Sequence, residues 1–439
     1  MFLGIDIGTT NISFLVIDLN CKVIYQDTYS NTFILGNNMQ DPDGIHILCN
    51  TVAMDLKKKF NFSSVGISNQ MHGILYVDEC GNAVSPLYTW QDDRGNEKYR
   101  DSTYASYMSN VCGYNLSTGF GTVSLFYDFV NDKIPMSSKK ICTIGDYVAM
   151  KLTNLKKPIL NETNAAALGL YKLDKHTWDY EVIRKLGLDE SLFPDVSNKV
   201  ICIGRNDLGF NVYTAVGDNQ ASVYGVADTD ECVVVNYGTG SQITFIVEKL
   251  TEIPFGCEVR PYFDGKCIII GSALCGGYSY QILKKFFDKV AEAVGGKFSY
   301  EILNQWATSD EPSLEVDTRF KGTRYEPSVR GSISNIDDLN FTPQSLTKGF
   351  VNGMCEELLN YYNLIKKISG EKKFLVGSGN GVRLNKALRN IISKKFNMNL
   401  KIPSQTEEAS YGVAMLVAAQ EIGYCFIKNI KYEGNGECD

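Results

Sequence analysis

Histidine is scarce in this chain, and its cysteines do not occur in closely spaced pairs. Only three histidines are present in 439 residues, and the thirteen cysteines are scattered, odd in number and without a Cys-x-x-Cys pair. Zinc sites and disulfide frameworks both depend on closely spaced ligands or partners. The pattern argues against both and favours reduced thiols in a cytoplasmic protein.

Long apolar runs and an excess of basic residues are missing as well. No apolar run approaches the length of a bilayer span, and the strand-like start at Met1–Ile5 has no basic leader or small-residue cleavage site. We therefore expect neither a membrane segment nor secretion. Lys and Arg total 43 against 50 Asp and Glu, a net charge of -7, which argues against a nucleic-acid partner.

The common nucleotide-binding signatures are also absent. No Gly-x-x-x-x-Gly-Lys-Ser/Thr sequence occurs, which excludes a P-loop. The glycine run at Gly377–Gly381 follows a predicted strand and opens a helix, but its third glycine falls one position early for a dinucleotide-binding fingerprint. Its backbone can still approach a ligand closely at a helix N-terminus.

Two similar hairpin motifs, Gly4–Asn11 and Val234–Ser241, are the most informative feature that is present. In each, a buried strand ends near a carboxylate or amide, a glycine permits a tight turn, and hydroxyl and amide groups crowd the tip. Backbone N–H groups in such turns form anion-binding concavities. One such turn alone commonly has only a structural role. Two copies in one chain predict a site that binds a polyphosphate from both sides.

Length and the repeat together predict two α/β domains. A chain of 439 residues exceeds one ordinary core, and one hairpin stands at the start of each half. Strands alternate with helices in both halves. We place the junction within 225–231 and the domains at 1–228 and 229–439.

The apolar patterns predict the following elements, with residue numbers read from the sequence. Strands are expected within 2–29 and at 65–67, 86–88, 213–216, 232–236, 243–247, 268–270, 374–376 and 399–402. Helices are expected at 41–60, 217–226, from 276 onward, 342–365, 383–396 and 406–423, with a loop at 308–342.

Asp218 is the candidate general base. It stands where a predicted strand passes into a helix, from which a carboxylate can accept the proton of an attacking hydroxyl. The alternative is a helix N-cap, a position that Asp commonly occupies. The pairing with two phosphate hairpins favours the catalytic role.

The candidate acceptor pocket combines two polar segments, Gln70–Gly73 and Thr89–Arg94. Amide, imidazole, carboxylate and guanidinium groups beside an indole form the kind of set that recognises a polyol. His72 and Trp90 have structural alternatives, since a lone histidine is commonly a satisfied structural residue and a tryptophan a core residue. Both segments adjoin strand-like runs, which favours a site.

These residues resemble the FGGY family of carbohydrate kinases along nearly the whole chain. Asp6-x-Gly8-Thr9-Thr10 is similar to that family's first phosphate motif, and Asn236-x-Gly238-Thr239-Gly240 to its second. The resemblance implies two actin-like, ribonuclease-H-like ATPase domains with ATP in an inter-domain cleft, Asp218 as the general base and Mg²⁺ as a partner. Because the site must exclude water from ATP, we expect the two domains to close on sugar binding. We further hypothesise that Asp6 holds Mg²⁺ through water. The resemblance also implies that ATP is bound by Thr9, Thr10, Asn11, Gly238, Thr239, Gly240, Gly276, Gly277, Gly377, Ser378, Gly379 and Asn380.

Within the family, the Gln-Met-His-Gly motif is typical of ketose kinases. Several further stretches resemble the sedoheptulokinases: Thr89–Arg94, Ser117–Gly121, Asp146–Val148, Asn164–Ala166 and Arg260–Phe263. The resemblance implies transfer of the ATP γ-phosphate to the terminal primary hydroxyl of sedoheptulose, giving the 7-phosphate. The sugar is then positioned by Gln70, Met71, His72, Trp90, Asp92 and Arg94.

Two alternatives and two departures from the family pattern accompany this expectation. Xylulose or another ketose or polyol is the alternative acceptor, and an actin-like, nucleotide-switched binding protein is the alternative from a different class. Ser13 stands where relatives usually carry a basic residue, and Thr323 stands where they carry a glutamate. Both departures concern nucleotide affinity and leave the hairpins and Asp218 in place.

Overall fold

The computed structural model describes residues 1–36, 38–248, 252–324 and 326–433, and these form two compact units. The first unit comprises Met1–Gly225, Pro261–Gly265 and Glu407–Asn429, and the second comprises Val226–Arg260, Lys266–Thr406 and the described residues from Ile430. Each unit has its own hydrophobic core. No disulfide links the twelve cysteines within these ranges, and none of their helices is long and apolar enough to cross a membrane.

Among its described residues, the first half of the chain contains eighteen strands and seven α-helices. The strands are β1 (Phe2–Ile7), β2 (Asn11–Ile17), β3 (Val23–Ser30), β4 (Ile34–Gly36), β5 (Met39–Gln40), β6 (Ser64–Asn69), β7 (Leu75–Val77), β8 (Leu87–Tyr88), β9 (Lys98–Tyr99), β10 (Ser102–Thr103), β11 (Lys140–Cys142), β12 (Ile159–Asn161), β13 (Tyr171–Lys172), β14 (Thr177–Trp178), β15 (Asp195–Ser197), β16 (Cys202–Arg205), β17 (Asn211–Tyr213) and β18 (Val216–Gly217). The helices are α1 (Pro42–Phe60), α2 (Tyr104–Cys112), α3 (Gly121–Val130), α4 (Ile144–Leu152), α5 (Glu162–Leu168), α6 (Tyr180–Lys185) and α7 (Asp218–Val226).

The second half contains eight strands and six helices among the described residues. The strands are β19 (Cys232–Tyr237), β20 (Ser241–Val247), β21 (Cys257–Pro261), β22 (Cys267–Ala273), β23 (Glu315–Asp317), β24 (Ser332–Ser334), β25 (Phe374–Ser378) and β26 (Asn399–Lys401). The helices are α8 (Gly276–Ala293), α9 (Tyr300–Ala307), α10 (Pro343–Ser369), α11 (Asn380–Leu384), α12 (Lys386–Phe396) and α13 (Glu408–Ile422).

The main sheets of the two units share one strand order. In the first unit β3, β2, β1, β6 and β17 lie side by side, and in the second unit β22, β20, β19, β25 and β26 do. The first three strands of each set are antiparallel neighbours, and the remaining two continue parallel to the central strand. The hairpin repeat seen in the sequence is therefore part of a repeat of the whole sheet.

Helix α13 packs on the sheet of the first unit, although it follows the second unit in the chain. A Cβ atom on Gly4 would lie 1.9 Å from the carbonyl oxygen of Ser410, and one on Gly66 would lie 2.6 Å from that of Val413. Glycine at these two strand positions lets the helix backbone approach the sheet. The sequence-based division at 228/229 placed α13 in the C-terminal domain, and the structure corrects that placement.

Other predicted elements agree with the structure or differ from it for visible reasons. The predicted strand 213–216 is divided between β17 and β18, and in the gap between them the carbonyl of Ala215 accepts a bond from the Asn164 side chain. The predicted helix 383–396 is divided at Asn385, whose side chain caps α12. The predicted loop 308–342, of which residue 325 lies outside the described residues, contains the paired strands β23 and β24. The helices predicted at 41–60 and 342–365 are confirmed as α1 and α10.

Candidate functional site

The first hairpin joins β1 to β2 through a turn at Gly8–Thr10. The backbone N–H of Gly8 donates to the carbonyl of Asn11 at 2.9 Å, and Asp6 lies one residue before the end of β1. Ser68 Oγ, on the neighbouring strand β6, donates to Asp6 Oδ1 at 2.7 Å. Burial, with a smaller contribution from the nearby Glu407, raises the pKa of Asp6 to about 6 although the Ser68 bond opposes the shift.

A ring of hydrogen bonds connects this hairpin to both acceptor segments. Thr9 Oγ1 donates to Gln70 Oε1 at 3.0 Å and accepts from Trp90 Nε1 at 2.9 Å. Gln70 Nε2 donates to Gln40 Oε1, and Gln40 Nε2 donates to the carbonyl of Thr9, both at 2.8 Å. The structure thus brings together three predicted site residues, and adds Gln40, which the sequence analysis did not single out.

The Trp90 indole is a surface group. Its residue is 48% exposed, which removes the alternative that it belongs to the core. One edge of the indole is held by Thr9, so the ring has a defined orientation while its surface remains open to solvent. An exposed, oriented aromatic ring is suited to packing against the apolar face of a sugar.

The Gln70–Gly73 segment follows directly from the carboxyl end of β6. Gln70 and Met71 are buried. His72 has a positive φ of 75°, and its Nδ1 lies 2.6 Å from the carbonyl of Ala167. A Cβ on Gly73 would lie 2.6 Å from the carbonyl of Tyr88. The segment therefore has a constrained backbone that is fixed by α5 on one side and by β8 on the other.

Asp92 and Arg94 bond to each other and to Asp128. Arg94 Nε and Nη2 donate to both carboxylate oxygens of Asp92 at 2.7–3.0 Å, and Nη1 donates to Asp128 at 2.6 Å. The guanidinium also stacks on the Tyr88 ring at 4.0 Å. Hydrogen bonds from Arg94 and Ser124 outweigh burial and lower the pKa of Asp92. These contacts make the pair a rigid support for the Trp90 loop.

Asp218 is the first residue of α7 and follows β18 immediately. It is partly buried, and its Oδ1 accepts the backbone N–H of Asn219 at 2.7 Å. The preceding residue, Gly217, pairs in parallel register with Asn69 of β6. The base candidate and the Gln70 segment therefore emerge from neighbouring parallel strands at the same edge of the sheet.

The second unit contains a cradle of glycines around the second hairpin. A Cβ on Gly276 would lie 2.4 Å from the carbonyl of Gly240, and one on Gly277 would lie 2.6 Å from that of Gly238. Gly379 has a φ of 82°, and a Cβ there would lie 3.0 Å from the carbonyl of Tyr237. Three predicted nucleotide-contacting segments therefore meet closely, leaving backbone groups rather than side chains at their junction, as close approach of a nucleotide requires.

The residues also suit a magnesium ion that is bound together with phosphates. No group of three or more His, Cys, Asp or Glu side chains within the described ranges could hold a metal by itself. Mg²⁺ commonly keeps several waters and uses only one or two carboxylates plus substrate phosphates. A single partly exposed carboxylate, Asp6, beside a hairpin rich in N–H and hydroxyl groups fits that mode of binding.

The two residues that depart from the family pattern, Ser13 and Thr323, both form hydrogen bonds with nearby groups. Ser13 Oγ donates to Glu407 at 2.5 Å and lies 3.1 Å from Thr28 Oγ1, so the position of the usual basic side chain is held by hydroxyl contacts. Thr323 Oγ1 accepts the backbone N–H of Glu326 at 2.9 Å. The neighbouring Arg324 forms an ion pair with Glu258.

Comparison with known proteins agrees with this geometry. The model of the FGGY family of carbohydrate kinases, N-terminal domain, matches residues 1–225. The chain is 23% identical to sedoheptulokinase of Mus musculus, over 96% of this chain and 98% of that protein. It is 25% identical to xylulose kinase of Staphylococcus xylosus, over 95% of this chain and 90% of that one.

A solved structure establishes the fold. Ligand-bound xylulose kinase from Lactobacillus acidophilus matches with a TM-score of 0.81 and 18% identity, over 96% of this chain and 89% of that one. The two units are thus actin-like, ribonuclease-H-like α/β domains, as expected from the sequence. Kinases of the matched family use ATP with Mg²⁺. The chain therefore belongs to the FGGY family of carbohydrate kinases and is an ATP-dependent sugar phosphotransferase.

Proposed function

We propose that this kinase phosphorylates the terminal primary hydroxyl of a ketose, with sedoheptulose as the preferred acceptor and sedoheptulose 7-phosphate as the product. The observation that carries the proposal is the ring of bonds that ties Thr9 of the first phosphate hairpin to Gln70 and Trp90 of the acceptor segments. The whole-length similarity to a sedoheptulokinase supports the choice of sugar. Xylulose is the second candidate, supported by the similarity to a xylulose kinase.

Within this proposal the first unit binds the sugar and accepts its proton. Gln70, His72 and Trp90 contact the ketose, Met71 closes the pocket, and the Asp92–Arg94 pair holds the Trp90 loop in place. Asp218 takes the proton from the terminal hydroxyl as the hydroxyl oxygen bonds to the γ-phosphorus of ATP. The bond from that phosphorus to the β–γ bridging oxygen breaks, and ADP leaves. The proton thus ends on the Asp218 carboxylate, which contributes about 10²- to 10⁴-fold to the rate.

Within this proposal, Thr9, Thr10 and Asn11 of the first hairpin bind phosphate oxygens through their hydroxyl and N–H groups. Gly238, Thr239 and Gly240 of the second hairpin are proposed to bind phosphate within their own unit. Gly276, Gly277 and the segment Gly377–Asn380 contact the rest of the nucleotide. Asp6 would hold Mg²⁺, and the ion would neutralise charge on the phosphates when bound. The chain supplies positioning and fixed dipoles, which provide most of the rate enhancement in phosphoryl transfer.

The test is ADP release from Mg-ATP with sedoheptulose, xylulose, ribulose, fructose or glycerol, and without sugar. The proposal predicts the largest kcat/KM with sedoheptulose, and mass spectrometry should find one phosphate on the terminal carbon. A larger kcat/KM with xylulose would keep the mechanism and reassign the sugar. Release that no sugar stimulates would contradict the proposal.

We also propose a cytoplasmic location and small-molecule partners alone. The net charge of -7 and the thirteen cysteines without closely spaced pairs support this. Cell fractionation and a gel-shift assay with RNA and DNA are the corresponding measurements. Recovery in the membrane fraction, or a shifted band at physiological salt, would contradict it.

A further inference from the structure

Helix α5 contacts the Gln70–Gly73 segment and the strand that leads to Asp218. None of its residues is among the site residues predicted from the sequence. Its first turn carries Thr163 and Asn164, which are 1% and 0% exposed. Its last turn presents the carbonyl of Ala167 to His72 Nδ1 at 2.6 Å. The helix thus lies directly behind the acceptor segment and behind the strand that leads to Asp218.

The Thr163 hydroxyl binds the backbone immediately before Asp218. Gly217 N–H donates to Thr163 Oγ1 at 3.1 Å, and Thr163 Oγ1 in turn donates to Asn161 Oδ1 at 2.8 Å. Asn161 is the N-cap of α5 and also accepts the backbone N–H of Thr163. The Thr163 hydroxyl therefore donates its proton to Asn161 and accepts the Gly217 N–H with an oxygen lone pair.

The Asn164 amide joins the two strands. Its Nδ2 lies 3.0 Å from Asn69 Oδ1 and 3.2 Å from the carbonyl of Ala215. Asn69 is the residue before Gln70, and Ala215 lies three positions before Asp218. Each surrounding group can accept a hydrogen bond, which assigns the nitrogen of the amide, not its oxygen, to this side.

The N-terminus of α4 completes the buried network. Asn164 Nδ2 also lies 3.2 Å from Thr143 Oγ1 and from Asp146 Oδ1, two residues that form the capping box of α4. A Cβ on Gly145 would lie 2.2 Å from Asn69 Oδ1, so the helix turn presses against the strand end. A buried polar network of this kind specifies one arrangement of the groups it joins.

We propose that Thr163 and Asn164 are positioning residues, which set the Asp218 carboxylate at a fixed place relative to the ketose-binding segment. This inference rests on the proposed function, in which Asp218 accepts the proton and Gln70 binds the sugar. Thr163 acts through Gly217, and Asn164 acts through Asn69 and Ala215. Because a displacement of about 1 Å can reduce a rate by about 100-fold, the loss of one such contact should reduce kcat.

The test compares Thr163→Val with Thr163→Ser and with a matched control. Valine keeps the shape of threonine but removes the acceptor for Gly217, whereas serine retains the hydroxyl. The control is Thr122→Val, since Thr122 is also buried and its Oγ1 donates to the carbonyl of Leu168, at the other end of the same helix. All three variants are assayed with Mg-ATP and the ketose that the wild type prefers.

We expect Thr163→Val to reduce kcat by about tenfold or more, with an unchanged KM for ATP, and Thr163→Ser to restore kcat to near the wild-type value. Thr122→Val should lower the melting temperature about as much as Thr163→Val does, with kcat retained. If Thr163→Val does not fold, Thr163→Ala replaces it, with the same expected direction.

Equal kcat in Thr163→Val and wild type, or an equal fall of kcat in Thr122→Val, would overturn the positioning role. These outcomes are distinct from failure of the proposed function, in which the wild type itself transfers no phosphate to any ketose. If the wild type transfers no phosphate, the proposed function and the positioning role are both refuted.

Discussion

Replacing Asp218 by asparagine separates two roles, that of general base and that of a hydrogen-bond acceptor in the first turn of α7. Asp218 is the first residue of that helix, so the N-cap alternative from the sequence is wrong. The Oδ1 of Asp218 accepts the backbone N–H of Asn219 at 2.7 Å, a contact that an asparagine Oδ1 reproduces with almost the same side-chain volume. An amide cannot accept the proton of an attacking hydroxyl at neutral pH. The substitution Asp218→Asn therefore retains the local hydrogen bond and removes only the proton acceptor.

The two roles predict very different magnitudes. A general base contributes about 10²- to 10⁴-fold, which corresponds to about 2.7–5.4 kcal/mol of the activation free energy at about 1.36 kcal/mol per tenfold. As side-chain acceptors for backbone N–H groups at a helix start, Asn and Asp are nearly equivalent. We therefore expect kcat to fall by about 100- to 10,000-fold, while the melting temperature and the dissociation constant of Mg-ATP stay close to the wild-type values.

The assay is coupled ADP release at saturating Mg-ATP and ketose, with nucleotide binding measured by calorimetry. Asp189→Asn is the matched control, because Asp189 Oδ1 accepts the backbone N–H of Ser191 at 2.8 Å at the start of a short helical turn. That variant should retain kcat within about twofold, since it exchanges one good cap for another. If Asp218→Asn also retains kcat, Asp218 only stabilises α7, and the base must be sought elsewhere.

Two further predictions concern stability. Arg94→Met leaves the buried carboxylates of Asp92 and Asp128 without a counter-charge, which should lower the unfolding free energy by about 3–5 kcal/mol. Calorimetry should then find the melting temperature of the first unit lowered by roughly 6–20 °C. A decrease of less than about 2 °C would contradict this prediction. Burial lowers the pKa of His46 from 6.5 to about 4, so the unfolded state binds more protons than the folded state between these values, and stability falls as the pH falls from 6.5. Between pH 6.5 and 5, urea titrations should show that the unfolding free energy of the wild type falls by about 1.6 kcal/mol more than that of His46→Phe. Equal losses would refute this prediction.

Much of the fold could be predicted because its signals are local. Asp6, Gly8 and Thr9 form a strand end and a tight turn that neighbouring residues determine, and the hairpin is confirmed. The cap at Thr342 and the apolar spacing that follows also act within a few residues, and they give α10. Trp90 was assigned to the site from its polar neighbours, and its exposure removes the core alternative.

The elements that could not be predicted depend on contacts between distant parts of the chain. Asn69 and Asn164 are 95 positions apart, and nothing in either neighbourhood indicates that one amide will bind the other. Helix α13 has the pattern of any buried helix, and the glycines that let it pack closely, such as Gly4 and Gly66, lie in distant parts of the chain. The pairing of β23 with β24 likewise joins two short polar stretches. In each case the sequence around one contacting segment does not indicate which distant segment it will contact.

The repeated sheet places Asp6 and Asn236 at equivalent positions of the two hairpins, and the proposed mechanism gives a reason for this difference. In the first unit Asp6 accepts a hydrogen bond from Ser68, the residue directly opposite on the parallel strand. In the second unit the equivalent pair is Asn236 and Ser378, and there the amide donates to the hydroxyl. Under the proposed mechanism only one copy needs a carboxylate for the metal ion. A second carboxylate would repel the phosphates without a cation to neutralise it, whereas a neutral amide preserves the cross-strand bond and leaves the glycine turn able to accept an anion.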